Sequence, residues 1–137
     1  MITLVDTCVW SLALRRASSN LNAEEAEAVE LLRQAILDGQ ASMPGVVRQE
    51  LLSGVRQRQQ FEALLTATRA FDDVNLTIAD YEEAAVCDNL CRSAGISGST
   101  TNFLICAIAR RRQWAILTVD KDFLGYSRKL NLQLLPA

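Results

Sequence analysis

Two short apolar runs in this chain end in the same way: Leu4-Val5 breaks into Asp6-Thr7, and Leu117-Thr118-Val119 breaks into Asp120. An apolar, β-branched run that stops at a carboxylate reads as a buried strand whose last residue emerges at the rim of a sheet. In an open parallel sheet, functional groups gather beyond the carboxyl ends of the strands. If the two strands are neighbours, Asp6 and Asp120 converge on one crevice. Two nearby carboxylates repel, so such a pair calls for a cation or a shared proton. Aspartate oxygens suit magnesium or manganese. An aspartate capping the helix that follows it satisfies the same pattern, and the residues alone leave both readings open. Glu50 lies in Val47-Arg48-Gln49-Glu50-Leu51-Leu52, at the margin of a helix whose Val46 or Val47 and Leu51 turn inward. Taken alone, it reads as a solvated helix glutamate. The hydroxyls of Thr7 and Thr118 stand where they can fix carboxylate rotamers, or equally bond to strand-end backbone.

The elements that must position these groups follow from periodicity and punctuation. Residues 2–5 read as a strand and 8–15 as the start of a helix. Asn22 caps a helix over 23–37, closed by Gly39 where a left-handed residue is wanted. Residues 41–43 allow only a very short strand, and Pro44 opens a helix that carries Glu50. A helix over 57–70 places Phe61, Leu64 and Leu65 on one face. Residues 72–76 read as another short strand, and Thr77 with Asp80 as a capping-box start to a helix reaching Ser93. Polar residues 97–101 lead into an apolar helix over 103–111. Residues 114–119 form the second buried strand, and 130–135 an edge strand stopped by Pro136. Strands alternating with helices predict a three-layer α/β/α arrangement, with a mostly parallel central sheet of four or five strands. No repeat or linker interrupts the pattern, so residues 1–137 are expected to form one domain.

Composition narrows the partners. Half of the 137 residues are hydrophobic and 22% are charged, a globular balance rather than a disordered one. The formal charge of −2 predicts no general affinity for nucleic acid, so a polyanion must meet a local basic patch or a bound metal. Arg110-Arg111-Arg112 is the one dense basic run, but it ends a helix, where the dipole already favours cations. Arg15, Arg16 and Lys121 lie nearer the crevice in sequence and are the better candidates for phosphate contact. No aromatic platform for stacking bases is evident. The four cysteines fall in apolar segments. No secretory leader or membrane-spanning run is legible, so a reducing cytoplasm is the expected setting. Cys87 and Cys91 sit four apart, but one close pair in a chain without histidine reads as core rather than zinc site.

Four segments, in order, carry a resemblance: Leu4-Val5-Asp6-Thr7, Gln49-Glu50-Leu51-Leu52, the helix opening Asn102-Phe103-Leu104-Ile105-Cys106-Ala107-Ile108-Ala109, and Thr118-Val119-Asp120-Lys121-Asp122-Phe123. Together they resemble the PIN domain, and particularly the VapC-type toxin ribonucleases. Each motif is weak alone, but four in order over nearly the whole chain are fairly specific. The resemblance implies a PIN-like fold and a Mg2+-dependent endoribonuclease, with Mn2+ as an alternative ion, that hydrolyses RNA phosphodiester bonds as the toxin of a type II, VapBC-like system. It also implies a cognate antitoxin and a homodimer. Mapped onto this chain, the acidic pocket comprises Asp6, Glu50, Asn102 and Asp120. Asp6 and Asp120 are the expected metal ligands, with Thr7, Thr118 and Asp122 supporting them. Asn102 departs from the family pattern, which has an acidic residue there. An amide oxygen can still ligate magnesium, but it brings no charge and cannot act as a base. The alternative is therefore a catalytically weakened PIN protein that acts by binding antitoxin or RNA. A phosphoryl-transfer reading of Asp6 lacks its partners: Cys8 occupies the place of the second aspartate of haloacid-dehalogenase-like enzymes, and the acidic pair of a receiver is missing.

Overall fold

The computed structural model describes residues 1–15 and 18–137. The chain runs β1 (Thr3–Val5), α1 (Thr7–Arg15), a 3-10 turn (Ser18–Asn20), α2 (Ala23–Leu37), β2 (Ala41–Ser42), α3 (Gly45–Leu52), α4 (Arg58–Thr68), α5 (Ile78–Ser93), α6 (Thr100–Arg112), β3 (Ala115–Leu117), α7 (Asp122–Leu130) and β4 (Leu134–Leu135). The four strands form one all-parallel sheet in the order β2-β1-β3-β4. The expected α/β class and parallel sheet are thus present, within a largely helical molecule. From β1 the chain crosses to one side to form β2, then returns to the other side to form β3. The strand order therefore reverses between β1 and β3, and the crevice beyond their carboxyl ends is where side chains from separate segments can meet.

The strands are very short, so the sheet is held by what covers it. Leu4 and Val5 of β1 and all of β3 are buried. One group of helices, α1 to α4, packs among itself, and α5, α6 and α7 pack together as a second group. The core of the second group is α6, in which every residue from Phe103 to Ala109 is buried. A helix apolar on all sides has no solvent face and must be enclosed. Two capping boxes fix where the helices start: Asn22 with Glu25 on α2, and Thr77 with Asp80 on α5. Both are legible in the sequence. Among the described residues, no helix is long and apolar enough to cross a membrane.

Three expectations change. Residues 72–76 form no strand. Asp73 Oδ1 instead accepts from the Gly45 and Val74 amides at 2.6 and 2.7 Å, while the Arg48 guanidinium takes the Thr68 and Phe71 carbonyls at 2.6 and 2.5 Å. Side chains thus bind the backbone groups that hold this segment. The edge strand shrinks from 130–135 to Leu134–Leu135. Before it lies α7, a helix absent from the sequence reading, which buries Phe123, Tyr126 and Leu130 at helical spacing. Finally, α6 begins at Thr100, earlier than expected, because the Ser99 hydroxyl accepts the Asn102 amide at 3.0 Å and caps the helix.

Candidate active site

Asp6 ends β1 and is tied to the neighbouring strand through its own amide, which donates to the Leu117 carbonyl at 2.9 Å. Its side chain is 4% exposed. Oδ1 accepts the Thr7 amide at 2.8 Å, and Oδ2 accepts the Thr118 hydroxyl at 2.7 Å and the Cys8 thiol at 3.4 Å. Burial pushes the Asp6 carboxyl above its ordinary value. The Thr118, Cys8 and Thr7 hydrogen bonds work against that shift, and the nearby charge of Asp120 adds to it. Burial likewise pushes the Cys8 thiol up, to about 11, so Cys8 serves as a neutral donor.

Thr118 links the two strand ends. While its hydroxyl donates to Asp6, the same oxygen accepts the Asp120 amide at 3.0 Å. Asp120 Oδ1 in turn accepts the Asp122 amide at 2.9 Å, holding the turn that opens α7. The capping reading therefore accounts for part of what Asp120 does, and it occupies one of its two oxygens. Asp122 is exposed and enters this set through its backbone.

Glu50 comes to the same place from α3. The Thr7 hydroxyl donates to Glu50 Oε1 at 2.5 Å, so a residue on the exposed side of its helix is connected to the end of β1. Asp6, Thr7, Glu50, Thr118 and Asp120 are thus adjacent through a continuous run of bonds. Asn102 is half-buried in the first turn of α6, and its Nδ2 donates to the Tyr126 phenol at 3.2 Å. Burial raises that phenol, with further contributions from the charges of Asp122 and Asp120, which face the same region.

Among the described residues, no arginine or lysine forms an ion pair with Asp6, Glu50 or Asp120. Nor do three His, Cys, Asp or Glu side chains gather closely enough to make a metal-binding group by themselves. Glu50 meets Asp6 through Thr7 rather than directly, and the fourth position is an amide. What remains is a carboxylate pair without a counter-cation, one member of it buried. Such a donor set fits a hard divalent ion that keeps much of its own water, as magnesium does.

The basic residues separate into two kinds. Arg111 and Arg112 bind the buried carboxylate of Asp80 at 2.8 and 2.7 Å, and Arg110 pairs with Glu83 at 3.2 Å and donates to Cys87. The dense run is committed inside the fold, by ion pairs rather than by the helix dipole alone. Lys121 is exposed immediately after Asp120. Arg15 is exposed at the far end of α1, about 12 Å along the helix axis from Thr7. Arg16 lies outside the described residues. Cys8 and Tyr126 join this set although the sequence does not predict them there. Cys8 stands two residues after Asp6, and Tyr126 belongs to the helix that buries residues 123, 126 and 130.

The PIN domain profile matches residues 3–129. Among solved structures, FitAcB from Neisseria gonorrhoeae superposes with a TM-score of 0.74 at 17% identity, over 97% of this chain and 96% of that one. VapBC2 from Rickettsia felis, bound to a DNA fragment from their promoter, superposes with a TM-score of 0.73 at 14% identity, over 98% and 97% of the two chains. At these identities the likeness is one of fold. A comparison with curated proteins finds no match.

Proposed function

Since the chain belongs to the PIN domain family, we propose that it is a divalent-metal-dependent endoribonuclease and the toxin half of a VapBC-like toxin–antitoxin pair. The observation that carries this reading is the buried Asp6 carboxylate, joined through Thr118 to Asp120 and, among the described residues, given no cation. Asp6 and Asp120 are the residues that would hold Mg2+ or Mn2+. When bound, such an ion supplies activation of water near neutral pH and neutralisation of charge on the phosphodiester. Thr118 fixes the relative placement of the two aspartates. Thr7 orients Glu50 toward solvent in the crevice, where its carboxylate can accept a proton from water. Asn102 offers an uncharged oxygen to the same water, and Asp122 holds Asp120 through the turn. Lys121, exposed beside Asp120, is the first candidate for an RNA phosphate contact, with Arg15 and Arg16 as further candidates from the sequence. The net charge of −2 makes such local contacts necessary. An antitoxin partner, a homodimer, a single domain over 1–137 and a cytoplasmic setting complete the proposal.

The amide at position 102 favours a second reading, in which the site is weakened and the chain acts by binding antitoxin or RNA. Cleavage of a panel of structured and unstructured RNAs, with Mg2+ or Mn2+, by the chain and by its Asn102→Asp form separates the two. Comparable cleavage by both shows that the amide suffices. Cleavage only after Asn102→Asp shows a disabled site. Cleavage by neither, or cleavage that survives Asp6→Asn, overturns the nuclease assignment.

A further inference from the structure

The phenol of Tyr126 is one of the most enclosed polar groups near the crevice. The residue is 1% exposed, yet its oxygen reaches the Asn102 amide, and no buried side-chain nitrogen or oxygen among the described residues lacks a partner. Its ring is fixed by two neighbours: Phe103 at 5.0 Å between ring centroids, tilted, and Phe123 at 5.2 Å, edge-on. The loop before α6 closes over the ring edge at Gly98. A Cβ there would stand 2.5 Å from the phenol oxygen and 2.8 Å from two ring carbons, so only glycine leaves room for the ring in this position. Three elements, α6, α7 and the 95–99 loop, therefore converge to place one oxygen beside one amide.

The chemistry of that amide explains why its placement matters. A primary amide presents an oxygen acceptor on one side and two N–H donors on the other. Only the oxygen can meet a cation or accept a hydrogen bond from its water. Left free to turn, Asn102 would as readily aim its NH2 group at the acidic crevice. A carboxylate at this position would present oxygen in either orientation and would need no such control. We propose that Tyr126 is a positioning residue that takes the NH2 group of Asn102 and thereby commits its Oδ1 to the Asp6–Asp120 crevice, with Gly98 providing the space. The inference rests on reading that crevice as a divalent-metal site.

Tyr126→Phe removes the oxygen and keeps the ring. In the full chain, the side-chain amide resonances of Asn102 report the hydrogen bond by nuclear magnetic resonance without any metal, and the affinity for Mn2+ is followed by electron paramagnetic resonance. Tyr126→Phe is expected to shift the Asn102 amide protons markedly and to weaken Mn2+ binding about fivefold, the ratio set by one ordinary hydrogen bond. Gly98→Ala, which displaces the phenol with the hydroxyl intact, is expected to do the same. In an Asn102→Ala background, Tyr126→Phe should change Mn2+ affinity less than twofold. Unchanged Asn102 resonances in Tyr126→Phe, or an equal loss of affinity in all backgrounds, overturns the positioning role. If the resonances shift but the parent chain binds no Mn2+, the metal-site reading is what fails, and the positioning role falls with it.

Discussion

Asp6 and Asp80 are both withdrawn from water, at 4% and 0% exposure, yet among the described residues only Asp80 receives a cation. Asp80, in the first turn of α5, receives Arg112 at 2.7 and 3.0 Å, Arg111 at 2.8 Å and the Thr77 amide at 2.9 Å. Those contacts, with the Arg112 hydrogen bond foremost, hold its carboxyl well below the usual carboxylate range. Asp6 receives an amide, a hydroxyl and a thiol, all neutral, and burial drives its carboxyl upward. One aspartate joins two helices and is electrically complete. The other is held at a strand end by neutral donors, with no ion pair among the described residues. In a fold that can place two guanidinium groups on one carboxylate, that difference is what the proposed metal site rests on.

The sharpest way to test this contrast is to neutralise each aspartate in turn. Asp80→Asn leaves two arginines facing a neutral amide. Breaking a buried pair by removing one member costs about 3 kcal/mol, the low end of the usual range being apt because both arginines keep partial contact with water. Urea unfolding should show that loss, with Tm lowered by roughly 10 °C. Asp6→Asn removes an unpaired buried charge while an amide oxygen can still accept from Thr118. Its stability should stay within about 1 kcal/mol of the parent chain, while metal-dependent cleavage disappears. Equal destabilisation by the two substitutions would erase the distinction between them.

The same contrast explains what the sequence could and could not reveal. Asp6 and Asp120 were legible because a strand end is a local pattern, and two adjacent parallel strands bring such ends together. Glu50 was legible only through its motif, since the Thr7 hydroxyl that draws it in spans 43 residues of chain. Arg111 and Arg112 read as a helix-terminal run because nothing local announces that Asp80, about thirty positions earlier, will bind them. Residues 72–76 have strand-like composition, but the competing bonds of Asp73 and Arg48 are tertiary. The α7 helix was a different kind of miss. Phe123, Tyr126 and Leu130 show the required spacing, and Gly125 in the middle lowers helix propensity without preventing the helix. Because α7 was missed, the Tyr126–Asn102 contact was missed with it.

Proton linkage gives the two aspartates opposite signs. Asp80 has a folded value below its ordinary 3.8, so its contribution to stability is complete above 3.8 and is lost as pH falls through the folded value. Asp6 has a folded value above 3.8, so its charged form is penalised in the folded protein at neutral pH, and the penalty is relieved as pH falls toward 3.8. Urea midpoints at pH 7, 5, 4 and 3 should therefore separate the variants. Any stability that Asp6→Asn gains over the parent should shrink between neutral pH and about 4. The deficit of Asp80→Asn should persist through that interval and shrink only below it. A deficit at Asp80 that faded between pH 7 and 5 would show that its carboxyl is not held low.

Divalent ions should produce the most selective of these effects. A ligand that binds only the folded state stabilises it by RT ln(1 + [L]/Kd), about 1.4 kcal/mol at ten times Kd. Mg2+ added in that excess should raise the Tm of the parent chain by a few degrees, and chelation should reverse it. The gain should vanish in Asp6→Asn and in Asp120→Asn. Asp80→Asn, although less stable at the outset, should gain as much as the parent, because its missing charge lies in a network that already held two cations. A Mg2+ response that tracked Asp80 rather than Asp6 would place the ion in the wrong half of the comparison. An unpaired, buried Asp6 would then need a different explanation.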